Sequence, residues 1–133
     1  MPDERYPNVG FAAEETVSPS EFLLDSHVIE KGCTVDNSAR DSGNTGKTTT
    51  LRPGLVMGKI TSSGKYAQYN ASASDGTETA VGILKDQVKV IDENANAVDA
   101  QAVLVIHGRV DESALIGCDA AAKADLAGQV IFD

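Results

Sequence analysis

Apolar side chains in this chain come in short, β-branched bursts separated by breaks rich in Gly, Pro, Ser and Asn, and only near the C-terminus does a run of alanines replace that rhythm. The clearest burst is AVLVIHGRV (Ala102–Val110), whose branched residues suit a pleated surface and predict a strand. AVGIL (Ala80–Leu84) and VKVI (Val88–Ile91) predict two more, with DENANA as the turn that follows. The stretch Thr48–Asn70 is the most patterned. It has a strand-like start, a Pro53-Gly54 turn, the apolar run Leu55–Ile60, and a Ser62-Ser63-Gly64 turn into Lys65–Asn70. Turn residues between two β-prone runs predict a hairpin. Ala71–Thr79 reads as a loop with Asp75-Gly76 at its tip. Phe22–Glu30 (FLLDSHVIE), bounded by Gly32, predicts an earlier strand, and the polar segment Cys33–Lys47 reads as a loop, with Asp41–Thr48 expected to be flexible.

The two ends differ from this body. DESALIG (Asp111–Gly117) and CDAAAKADLAG (Cys118–Gly128) predict one or two short helices, with Asp119 as N-cap and Gly128 as stop, before a last strand VIFD. Met1–Ser20 carries Pro2, Pro7 and Pro19, and its apolar side chains follow neither a helical nor an alternating period. It is expected to be an extended arm that orders on a partner. Residues 21–133 are then expected to form a single β-rich domain, since 133 residues suffice for one core.

Charge narrows the function. Twenty acidic residues against eleven basic ones give a net charge of −9, which argues against direct contact with nucleic acid or an anionic membrane surface. No apolar run approaches the roughly 20 residues of a membrane helix, and the polar N-terminus predicts no secretion. Cys33 and Cys118 lack CxxC spacing, so no zinc site is expected. Two reduced thiols are the expectation, and pairing would depend on how closely their Cα atoms approach.

The motifs that suggest chemistry do not complete it. DSGNTGKT (Asp41–Thr48) has a phosphate-loop ending, but Asp41 stands where that motif needs Gly, and its carboxylate would repel phosphate. The segment starting at Asp92 has alternating oxygen ligands like a calcium loop, yet Ala97 and Val103 occupy the positions that need Gly and a bidentate Glu. His107 and His27 each lack a recognisable nucleophile or orienting acid. Asn70-Ala71-Ser72 fits a glycosylation acceptor with no export route to use it. The expectation is a protein without catalytic residues, cofactor or metal, whose arm adds a strand to another chain's sheet edge with Tyr6 and Phe11 as anchors.

Three segments in order carry a resemblance: LRPGLVMGKITSSGKYAQY (Leu51–Tyr69), SDGTETAVGIL (Ser74–Leu84) and AVLVIHGRVDESAL (Ala102–Leu115). With the Ala-rich helix and final strand, they resemble the head decoration proteins of tailed bacteriophages, the family of the lambda capsid-stabilising protein, over about Leu51–Asp133. Phe22–Lys47 goes beyond the shortest members. The resemblance implies a mainly β fold of the β-tulip or β-clip type with one or two short C-terminal helices. It also implies a non-enzymatic homotrimer, assembled in the host cytoplasm and bound on the outer surface of the expanded head at threefold and quasi-threefold sites. There it would clamp copies of the major capsid protein against packaged DNA. The arm would pair with a capsid strand, mainly over Asn8–Val17 because prolines interrupt the rest, which makes Tyr6, Asn8, Val9, Phe11 and Val17 the expected contact residues. The competing reading is a small glycan- or host-surface-binding module on a virion. It needs an exposed aromatic platform, hard to build from three Tyr, three Phe and no Trp. A small hydrolase or lyase using His107 with an acidic partner is a third.

Overall fold

The computed structural model describes residues 22–24 and 27–133. These form β1 (Ile29–Val35), β2 (Thr50–Leu51), β3 (Val56–Lys59), β4 (Tyr66–Gln68), β5 (Ala80–Leu84), β6 (Val88–Lys89), β7 (Ala100–Val110) and β8 (Val130–Phe132). A 3-10 turn at Glu112–Ala114 and one helix, α1 (Ala120–Leu126), lie between the last two strands. With 38% strand and 9% helix, the fold is mainly β with short helical elements at its C-terminal end.

Five strands close on themselves. The order β1-β4-β3-β5-β7 returns to β1 through an antiparallel β1–β7 ladder running from Ile29↔His107 to Val35↔Ala100. β8 adds to β7 in parallel, and β2 with β6 makes a separate two-stranded ribbon. Closure buries a sheet on both faces, so neighbouring residues on one strand serve different cores. Cys33, Val35, Tyr66, Met57, Leu84 and Leu104, drawn from all five strands, share one core with Leu51, Ala39 and Val90. Val56, Ile83 and Val105 point the other way and pack with Ala122 and Leu126 of α1, Phe22 and Val130. Each fully buried aliphatic side chain contributes about 1.5–3 kcal/mol.

The local signals held where turn chemistry is explicit. The hairpin β3–β4 forms about the Ser62–Gly64 turn, with Gly64 at φ +75°, and Gly54 after Pro53 sits at φ +90°. Asp119 caps α1 by accepting from the Ala122 amide at 2.8 Å, and Gly128 (φ +87°) follows its end.

Several boundaries are corrected. The expected strand Phe22–Glu30 is not one strand: Leu23 makes an isolated bridge to Val110, and the ladder proper starts at Ile29. β1 also runs through Gly32 to Val35, into the expected loop, because Gly32 stays extended and the β7 ladder continues past it. VKVI contributes only Val88–Lys89 to β6. Asp75-Gly76 is no free tip: a Cβ on Gly76 would lie 2.3 Å from the Lys59 carbonyl oxygen, so the loop packs back on β3. The segment expected to be flexible, Asp41–Thr48, is tied down. The Asp41 amide donates to the Thr48 carbonyl at 2.8 Å, and the Asn44 side-chain amide donates to the carbonyls of Lys47 and Thr50.

Candidate functional site

β7 changes character half-way along. Val105 points into the core beneath α1, and an undistorted strand would send 107 and 109 the same way. A register shift opposite Ile29/Glu30 intervenes, and beyond it Val110 takes the α1 side. An extra residue in one strand reverses the alternation. His107 and Arg109 are therefore turned away from that core.

The start of the described chain is bonded to this end of β7. The Asp111 amide donates to the Phe22 carbonyl at 2.7 Å, and the Leu24 amide donates to the Arg109 carbonyl at 3.0 Å. Phe22 is 2% exposed and anchors the root in the α1-side core. On the other side of β7, Ile131 of β8 pairs with Arg109, while Ile29 of β1 pairs with His107. Paired residues place their side chains on one face. Leu24, Ile29 and Ile131 are the exposed large hydrophobic side chains among the described residues, at 41%, 52% and 60% exposure. All three flank this one stretch of β7.

Polar groups complete the patch. Arg109 pairs with Asp133 across β7 and β8. The imidazoles of His27 and His107 meet edge-on with centroids 5.5 Å apart, so the two histidines expected to stand alone are neighbours. Among the described residues no group of three or more His, Cys, Asp or Glu is placed to hold a metal ion. Cys33 and Cys118 are both free thiols, and burial pushes the pKa of each up, which keeps them protonated. Of the aromatic side chains that the glycan reading would need, Phe22, Tyr66 and Tyr69 are buried at 2%, 5% and 7% exposure. The Tyr69 hydroxyl donates to Asp119 at 3.0 Å. Asp119 is held below the usual carboxylate range, first by the Ala122 amide it accepts and also by this hydroxyl.

The β1-to-β8 body is what the comparisons match. Residues 30–131 fit the family model described as bacteriophage lambda head decoration protein D. The chain belongs to this head decoration family. A search of the curated proteins returned no match. The family is structural rather than enzymatic, and membership associates the chain with a phage capsid. The match begins at Glu30, so the segment 30–47 lies within the matched body. The segment expected to be an arm, residues 1–20 with the expected contacts Tyr6, Asn8, Val9, Phe11 and Val17, lies outside the described residues. Leu24, Ile29 and Ile131 were not legible as a surface, since in sequence they look like any strand-forming aliphatics.

Proposed function

We propose that this decoration protein is a passive cement. In this reading three copies bind the outer surface of the expanded head at threefold and quasi-threefold positions, transform no substrate, and hold neighbouring major capsid proteins together. Residues 1–20 pair with a capsid strand, with Tyr6, Asn8, Val9, Phe11 and Val17 as the anchoring residues. The observation that carries the reading is the root at Phe22–Leu24. It is hydrogen-bonded to the end of β7 beside Leu24, Ile29 and Ile131, so the segment before it starts from the most exposed apolar surface among the described residues. An arm and an adjacent apolar patch can grip a shell at two neighbouring points. Three linked arms raise the effective concentration for each later contact once the first has docked.

Electron microscopy of expanded, undecorated shells mixed with the full chain is expected to show added density at the threefold positions. A chain lacking residues 1–20 is expected to keep its fold and lose shell binding. Undiminished decoration by the truncated chain would overturn the arm's role, and density at other symmetry positions would overturn the placement.

A further inference from the structure

Among the described residues the cations of this acidic chain are nearly all engaged. Arg52, Lys65, Lys85, Arg109 and Lys123 pair with Asp41, Asp99, Glu30, Asp133 and Glu112. Lys31 and Lys59 lie over the Tyr66 ring at 5.7 and 5.9 Å, and Arg40 donates to the carbonyls of Asn37 and Ala39. Lys47 and Lys89 differ: among the described residues, neither ammonium group has an ion-pair, hydrogen-bond or ring partner. Both line the same cavity of about 580 Å³.

Chain segments far apart in sequence build this cavity. Lys47 ends the loop that carries the incomplete phosphate motif, and Lys89 comes from β6, where it pairs with Thr50 of β2. Thr49 and Gln87 add hydroxyl and amide groups, Ile91 an apolar wall, and Arg52 a guanidinium. Asp41 does not repel an anion here, because it is buried and its charge is neutralised by Arg52. Two lysines without a charged partner therefore line one cavity in a chain of net charge −9, and a cleft lined by one sign of charge attracts the opposite sign.

We propose that this groove binds a carboxylate-rich peptide segment of a partner protein. Separate ammonium groups act as point charges that suit spaced carboxylates, and the volume falls in the range of pockets that hold a ligand of many atoms rather than one small oxyanion. The Ile91 wall accepts an apolar residue between the acidic ones. A long polyanion is disfavoured by the surrounding negative charge, whereas a short segment needs only the local field. That the partner is the shell protein rests on the cement reading; the binding itself does not.

The test uses the isotope-labelled full chain at low salt, titrated with a hexaglutamate peptide and, separately, with inorganic phosphate while amide shifts are followed. Peptide-induced shifts are expected at Lys47, Thr49, Gln87 and Lys89. The double variant Lys47→Glu, Lys89→Glu is expected to weaken peptide binding at least about tenfold, a change of about 1.4 kcal/mol. Lys59→Glu makes the same kind of charge change elsewhere and is expected to leave it unaltered. Because both lysines are exposed, the double variant should keep the wild-type circular dichroism spectrum, and a neutral Lys47→Gln, Lys89→Gln pair should fall between it and wild type. Shifts with phosphate but not peptide would overturn the peptide assignment, as would equal loss on Lys59→Glu or no localised shifts. No shell enters the experiment, so its failure is separable from failure of the cement reading.

Discussion

Asp41 is completely buried, yet it holds Arg52 at two points, with Nε to Oδ2 at 2.8 Å and Nη2 to Oδ1 at 3.0 Å. The Arg52 backbone amide adds a third hydrogen bond to the same carboxylate at 3.2 Å. Burial alone would raise the Asp41 pKa, but the hydrogen bonds and charge of Arg52 outweigh it and hold the carboxyl below its ordinary value. This pair fixes the loop that precedes β2 and thereby one wall of the basic groove.

A depressed carboxyl pKa contributes stability that is present above the unfolded value, about 3.9, and is lost as pH falls through the folded value. Thermal unfolding measured from pH 7 downward should therefore show the Asp41 contribution disappearing below about pH 4. Asp41→Asn is expected to cost about 1–3 kcal/mol at neutral pH and to flatten that acid limb. The loss stays below that of a fully buried pair because the Arg52 side chain is 37% exposed and partly solvated.

Two glycines should respond in opposite ways. A Cβ on Gly58 of β3 would sit 2.6 Å from the Thr77 Cα and 2.8 Å from its carbonyl oxygen, both backbone atoms that cannot swing aside. Gly58→Ala is expected to destabilise by about 1–3 kcal/mol in urea unfolding. Gly32 of β1 has nothing within 4 Å of its Cβ position, so Gly32→Ala should be neutral or stabilising by up to about 1 kcal/mol.

The apolar patch separates stability from docking. Ile131 is 60% exposed, so Ile131→Asp should change unfolding free energy by no more than about 0.5 kcal/mol. If the patch touches the shell, the same substitution is expected to weaken shell binding at least about tenfold, since burying an aliphatic side chain contributes about 1.5–3 kcal/mol. Undiminished shell binding by Ile131→Asp would remove the patch from the contact.

Light scattering at micromolar concentration is expected to give about three times the 13.9 kDa monomer mass, or a monomer that trimerises only on the shell. A stable dimer would contradict the trimeric reading.

The amino-acid order by itself determined the features that depend on near neighbours. The hairpin β3–β4, the strand β7, the cap at Asp119 and the stop at Gly128 follow from turn residues, β-branched runs and a capping side chain only a few positions away. Tertiary structure decided what depends on register. Val130 is buried and Ile131 exposed because β8 pairs with β7 in one alignment, and a one-residue slip would exchange them. The pairing of Asp41 with Arg52, the meeting of His27 with His107 and the convergence of Lys47 and Lys89 join residues that are distant along the chain. No local pattern encodes such contacts, because closure of the β1–β7 ladder and packing of the β2–β6 ribbon bring them together only once the whole sheet has formed.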